Sequence, residues 1–204
     1  MCIRDRTEKT PEMISLLKES YELTSDYSDF ENKDIFLEST SSMVFDRVNK
    51  VAYIGVSPRT DKELAKKWCQ DNSFEMVLFE TTSHFGKPIY HSDVFMYVGT
   101  EMIGICIDVI NEEYKGMVLE KVSRFHDVMI INEEQILNFC GNSLEARNRQ
   151  NEKFIIMSTK AFSSLSPIQI ETLEKYFKKI IYSDLSSIEK YGGGSARCML
   201  SELF

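Results

Sequence analysis

With 204 residues, 43% of them hydrophobic and 27% charged, the chain is long enough for one domain with a substantial core. A net charge of −8 and a pI near 5.0 argue against nucleic acid or an anionic membrane surface as partner. No apolar run reaches the ~18 residues that span a bilayer, and the polar first twelve residues do not read as a signal peptide.

The opening hexapeptide, residues 1–6, has no pattern that joins it to the rest of the chain and is read as lying outside the native folding unit. Pro11 then opens an amphipathic stretch, with apolar side chains at 13, 14, 16, 17 and 21, that predicts a helix over 11–24. Thr24 to Asp34 is acidic loop. Residues 42–57 read as two strands joined by a tight turn around Val48-Asn49-Lys50, followed by a helix from Asp61 to Asp71 and a strand from Phe74 to Phe79. A second hairpin spans 94–107 with its turn at Gly99-Thr100, then a helix over 111–123 and a strand over 128–131. The third begins at Asn142, turns near 148–151 and continues through Phe154–Met157. Helical segments over 160–165 and 167–178 and a strand over 180–182 complete it.

Three ββαβ units thus start near 42, 92 and 141, about fifty residues apart, which is the mark of a repeated supersecondary unit set in an array or a ring. In residue ranges they cover 42–80, 92–131 and 141–183, and 185–204 reads as the strand part of a further, partial unit, all within one incomplete domain over 1–204.

Chemistry concentrates near the end of the chain. Three consecutive glycines, Gly192 to Gly194, permit positive φ and close approach, and Arg197 and Cys198 follow on an alternating stretch that reads as a short buried strand. A thiol beside a permanent cation is a candidate nucleophile, because the guanidinium favours the thiolate. The competing reading is a turn before an edge strand, with Cys198 as apolar filler. In a radial array, equivalent positions of successive units converge on the axis. Glu38, His91, Gly141-Asn142 and Cys198 hold such positions, so a carboxylate, an imidazole and a thiol would share one pocket. Taken singly, each has a plainer role: His91 as a solvated loop residue, Glu38 as a surface charge, Arg59 as a helix flank. Asp93, two residues after His91, would share its strand face. The five cysteines (2, 69, 106, 140 and 198) are odd in number and lack a CxxC pair, and His84, His91 and His126 lack metal-ligand spacing. Both facts point to a reducing cytoplasm and away from a disulfide framework or a zinc site.

Five ordered motifs carry a resemblance: Leu37-Glu38-Ser39-Thr40-Ser41-Ser42-Met43-Val44, Ser57-Pro58-Arg59-Thr60-Asp61, Tyr90-His91-Ser92-Asp93-Val94, Phe139-Cys140-Gly141-Asn142 and Gly192-Gly193-Gly194-Ser195-Ala196-Arg197-Cys198. Over 36–204 the chain resembles the guanidino-group-modifying enzymes, or penteins, which include arginine deiminases, dimethylarginine dimethylaminohydrolases and amidinotransferases. The bacterial citrulline-utilisation branch is the most similar. The resemblance implies a five-bladed α/β propeller of ββαβ units around a pseudo-fivefold axis, incomplete here at the N-terminus. It implies that Cys198 attacks the central carbon of a guanidino or ureido group in citrulline, arginine or methylarginine. His91 would act as general acid and base, and Glu38 would orient it or bind substrate nitrogen. Arg59 would hold the α-carboxylate and Asp93 the guanidinium, with Asn142, Gly194 and Arg197 completing the substrate-binding set. No metal or cofactor is implied. The partner would be a small cationic or ureido amino acid, with a homodimer left open. Amidino transfer to an acceptor amine, and a propeller-like binding module without catalysis, are the alternatives. Two departures stand out: Ser39 and Ser41 occupy places where relatives often carry glycine, and an N-terminal region with an Asp-bearing loop is missing.

Overall fold

The structure is a computed structural model and describes residues 10–200; the hexapeptide 1–6 and the end of the partial unit, 201–204, lie outside the described residues. Helix α1 runs from Pro11 to Lys18, shorter than the predicted 11–24. Thr10 starts it by accepting the Met13 N–H at 3.2 Å, with Pro11 in the first turn, where its missing N–H costs nothing. Past Lys18 the apolar spacing lapses, and the chain continues to a 3₁₀ turn, Ser28–Lys33, closed by Asp34 in the left-handed conformation at φ 57°. A single helical turn, α2 (Ser39–Ser42), leads into the first sheet.

Among the described residues there are three three-stranded sheets. In the first, β1 (Met43–Asp46) pairs antiparallel with β2 (Val51–Val56), and β3 (Glu75–Glu80) returns parallel to β2 after helix α3 (Lys62–Asp71). The second repeats this with β4 (Met96–Val98), β5 (Met102–Ile105), helix α4 (Glu112–Ser123) and β6 (Asp127–Ile130), and the short α5 (Glu133–Leu137) leads out of it. The third has β7 (Leu144–Arg147), β8 (Lys153–Ser158), a short α6 (Thr159–Ser163), the longer α7 (Pro167–Tyr176) and β9 (Lys179–Ser183). The hairpins keep one register, with Met43 opposite Ile54, Met96 opposite Ile105 and Leu144 opposite Ile156. β1 lies against β4, and β4 against β7, so the first strand of each sheet faces the next sheet.

This arrangement follows from the sequence pattern. β2 is buried along nearly its whole length because α3 covers one face and the neighbouring sheet the other, which is why it reads as the continuous apolar run Val-Ala-Tyr-Ile-Gly-Val. One core cluster threads all three sheets, from Tyr53 and Phe79 through Phe95, Ile103 and Ile131 to Ile155 and Leu173. Phe79 and Phe95 meet edge-on across the first and second sheets, centroids 5.9 Å apart at 73°. A smaller cluster, Met43, Ala52, Ile54, Ala65 and Cys69, lies under α3 and is extended by the aromatic trio Phe45, Trp68 and Phe74.

The stretch after β9 departs from the expected strand. Ser186–Gly192 is a helix, α8, started by Asp184 accepting the Ser186 N–H at 2.9 Å. It ends at Gly193, whose φ of 71° is the left-handed cap that glycine supplies without strain. Cys198 then sits in a 3₁₀ turn, Arg197–Met199, and not in a strand. The reason is a long-range one: Asn142 Oδ1 accepts the N–H groups of both Arg197 and Cys198, at 3.1 and 3.3 Å, which removes the donors that strand pairing would need. Among the described residues no helix is long and apolar enough to cross a membrane.

Candidate active site

The loops that precede the three sheets, together with the glycine turn, build one site. Ser42 anchors the first of them. Its Oγ accepts the Glu38 N–H at 3.0 Å and donates to the Arg59 carbonyl at 3.0 Å. Its own carbonyl accepts from Ser92 Oγ at 2.8 Å, and Ser92 Oγ in turn accepts the Gly55 N–H at 2.9 Å. Both serines are fully buried, so these bonds fix the Glu38, Arg59 and His91 loops against each other in a dry setting, where an unmade bond is costly. Ser39, at one of the places where relatives often carry glycine, adopts φ 51°, a left-handed strain that a Cβ makes unfavourable.

On this frame the Glu38 carboxylate binds His91 Nε2, with both side chains buried, and Arg59 Nη1 lies 3.8 Å from the same Oε2. The Arg59 guanidinium also rests over the Tyr90 ring, 4.8 Å from its centroid. Asp93 is not on a strand face with His91. His91 is extended, and Asp93 follows in a 3₁₀ turn, Ser92–Val94, that still points its carboxylate toward the site.

The thiol lies opposite. Asn142 Nδ2 donates to Cys198 Sγ at 3.1 Å and to the Asp93 carbonyl at 3.2 Å, and Asp93 Oδ2 is 3.7 Å from the sulfur. Asn142 is set in place by Gly141. A Cβ there would fall 2.3 Å from the Val94 carbonyl oxygen and 2.7 Å from Phe95 Cα, so only glycine lets the third loop close onto the second. Gly194 meets the same demand at the nucleophile, since an added Cβ would sit 2.8 Å from Cys198 Cβ and 3.0 Å from Sγ.

The electrostatics correct one expectation. The thiol of Cys198 is pushed above its ordinary value, first by desolvation against the site wall and then by the negative charge of Asp93; the Ser195 backbone and the Asn142 amide oppose the rise. Arg197 does not activate it. That guanidinium is buried and acts on Asp93 instead. Burial pushes the Asp93 carboxyl up, while the charges of His91 and Arg197 and the hydroxyl of Ser41 pull it down. Asp93 Oδ1 is buried without a hydrogen-bond partner, an acceptor aimed at nothing the described residues supply. Of the described cysteines only Cys198 is exposed; Cys69, Cys106 and Cys140 are buried.

All eight sequence-derived candidates, Glu38, Arg59, His91, Asp93, Asn142, Gly194, Arg197 and Cys198, therefore lie in one region. Sequence reasoning gave no role to Tyr90, Ser42 or Ser92, and it placed Gly141 beside Asn142 at a converging position without the close approach that requires glycine there. Tyr90 adjoins His91 and could have been read as a wall residue; the serines act through their neighbours and leave no spacing signal. His126 is buried 3.5 Å from Asp46 and takes no part, and His84 packs against Phe85 with the rings tilted at 43°. Among the described residues no group of three or more His, Cys, Asp or Glu side chains could hold a metal ion.

The family model described as N,N dimethylarginine dimethylhydrolase, eukaryotic, matches residues 3–204. No curated protein matches. Among solved structures, apo ArgZ, an arginine dihydrolase from the ornithine-ammonia cycle in cyanobacteria, superposes with a TM-score of 0.72 at 19% identity, covering 98% of this chain and 30% of its own. The N-terminal domain of ArgZ covalently bound to a reaction intermediate gives 0.68 at 20%, covering 93% and 63%. A dimethylarginine dimethylaminohydrolase adduct with S-methyl-L-thiocitrulline gives 0.51 at 14%, covering 78% and 53%. This chain thus spans under a third of the first solved relative and less than two thirds of that relative's N-terminal domain. At such identities the likeness shows the fold, an α/β pentein, while the family match covers nearly the whole sequence. The chain belongs to the N,N-dimethylarginine dimethylhydrolase family, within the pentein superfamily of guanidino-modifying enzymes.

Proposed function

We propose that this protein hydrolyses the guanidino C–N bond of an arginine-related amino acid through a covalent adduct on Cys198. The observation that carries the reading is the sulfur held between the Asn142 amide at 3.1 Å and the Asp93 carboxylate at 3.7 Å, in one site with the buried Glu38–His91 pair. Support comes from the family match and from a fold shared with ArgZ, which has been solved with a covalently bound reaction intermediate.

Asp93, with a buried unpartnered oxygen, receives the guanidinium, and Arg59 on its Tyr90 platform receives the α-carboxylate. In the free protein partial desolvation of the sulfur and the charge of Asp93 raise the thiol pKa. A bound cation neutralises that carboxylate and adds positive charge beside the sulfur, so the thiol releases its proton to solvent and the nucleophile forms when its target is present. Sulfur then bonds to the guanidinium carbon. His91, its Nε2 held by Glu38, gives a proton to the departing nitrogen as that C–N bond breaks, and the amine leaves a thiouronium on Cys198. Water loses a proton to His91 and adds to the same carbon; as the C–S bond breaks the new hydroxyl becomes the ureido carbonyl and its proton passes to the sulfur, returning the thiol and releasing a ureido product. Family membership makes N-methylated arginine the leading substrate, ahead of arginine and of the citrulline suggested by the sequence motifs, and a free catalytic thiol suits a reducing cytoplasm. The test is incubation with N,N-dimethylarginine, arginine and citrulline, with intact-protein mass spectrometry for the adduct and amine release as turnover. Undiminished turnover by Cys198→Ser would overturn the covalent mechanism.

A further inference from the structure

Tyr90 joins three parts of the site. Its ring supports the Arg59 guanidinium at 4.8 Å and meets the His91 imidazole at 4.8 Å and 61°. Its carbonyl accepts from Ser57 Oγ at 2.8 Å, and the same Oγ accepts the Arg59 N–H at 3.1 Å, so its backbone is fastened to the Arg59 turn. Its hydroxyl reaches across and donates to the Gly193 carbonyl at 3.3 Å.

That last bond falls on the run of glycines, Gly192 to Gly194. Gly193 is left-handed, Gly194 touches Cys198 with no side chain between, and a run of glycines has many competing conformations. Asn142 holds the far side of the turn through the N–H groups of Arg197 and Cys198. On the near side, Tyr90 ties it to the wall that carries Arg59 and His91. The phenol also senses the thiol, since the charge on Cys198 is among the causes that push it above its ordinary value, after burial. Packing alone would not call for a hydroxyl here, because Tyr90 is 39% exposed and phenylalanine would fill the same space.

We propose that Tyr90 is a positioning residue, a latch whose hydroxyl fixes the glycine turn and so sets Cys198 against Arg59 and His91. The proposal rests on Cys198 as the nucleophile, and the test separates the two. Tyr90→Phe keeps the ring contacts and removes only the bond to Gly193; Tyr90→Leu removes both. Labelling of Cys198 by iodoacetamide is followed by peptide mass spectrometry, with buried Cys69, Cys106 and Cys140 as reporters of global loosening, beside kcat and KM for N,N-dimethylarginine and arginine. For Tyr90→Phe the latch predicts Cys198 labelling about fivefold faster and kcat about fivefold lower, with KM within about twofold, the worth of one neutral hydrogen bond. The buried cysteines stay unlabelled. Tyr90→Leu should raise KM as well, because Arg59 loses its platform. Labelling and kcat equal to wild type in Tyr90→Phe overturn the latch, as does faster labelling of all four cysteines together. Cys198→Ser with full turnover would defeat the nucleophile reading, and the labelling rates would still decide the latch.

Discussion

Replacing Asp93 by asparagine should make Cys198 more reactive toward a general alkylator while making the protein a poorer enzyme. The carboxylate lies 3.7 Å from the sulfur and raises the thiol by its charge. Coulomb's law at that separation gives about 1.1 kcal/mol with the dielectric of bulk water and about 4.5 kcal/mol at an effective value of 20. Cys198 is exposed, so solvent screening places the effect near the lower figure. An effect of about 1.1 kcal/mol raises the thiolate fraction roughly sixfold below the midpoint, but the more stable thiolate is also a weaker nucleophile by about twofold, for a net gain of about threefold. The assay is pseudo-first-order labelling of Cys198 with iodoacetamide from pH 6.5 to 10, read by peptide mass spectrometry. The midpoint should move down in Asp93→Asn, with labelling faster near neutral pH. Stability gives a second reading with its own sign. Burial raises the Asp93 carboxyl in the folded state, so the folded protein holds that proton more tightly than the unfolded chain, and stability falls as pH rises from the unfolded value through the folded one. Asp93→Asn should therefore be the more stable protein at neutral pH while turnover of a cationic substrate drops. An unmoved or raised labelling midpoint would refute the assignment of Asp93 as the charge that holds the thiol protonated.

Asn142→Ala removes the donor to the sulfur and the acceptor for the Arg197 and Cys198 N–H groups; the labelling midpoint should rise, and kcat/KM should fall by at least about tenfold in steady-state assays. Gly194→Ala drives a methyl group into Cys198, and a displacement of the nucleophile by about 1 Å is expected to cost on the order of a hundredfold in turnover, with a melting temperature close to wild type because the turn is on the surface. Ser39→Gly relieves the left-handed strain at φ 51° and should raise stability by about 1 kcal/mol, a shift of about 2–4 °C by calorimetry.

The strands and helices could be read from the sequence because each sheet obeys a local rule. Val51–Val56 is a continuous apolar run that only a strand covered on both faces explains, and Ser166-Pro167 is both a cap and a first-turn proline. The end of the chain defeats the same reasoning. Alternation around Cys198 suggests a strand, yet a side chain 56 residues away takes the backbone donors and forces a 3₁₀ turn. Long-range polar satisfaction overrides local pattern there, and no spacing rule records it. The sign of the thiol shift is hidden for the same reason. Arg197 is adjacent in sequence, but its charge acts on Asp93, and the carboxylate nearest the sulfur comes from 105 residues earlier. Glu38, His91 and Cys198 are legible because their residue types mark chemistry, and Gly141-Asn142 because of its place in the repeat; Ser42 and Ser92 escape because their contribution is to hold other residues.

The bonds that define the site close loops of 53, 56 and 105 residues, from Glu38 to His91, from Asn142 to Cys198 and from Asp93 to Cys198. Closing loops of that length costs entropy that local helices and hairpins do not incur, so these contacts belong to the last stage of assembly. Of the four kinds of group, the thiol is also the last to be synthesised. A half-folded chain thus carries Cys198 with neither Asn142 nor Asp93 beside it, and the arrangement around the sulfur exists only once the three sheets have docked.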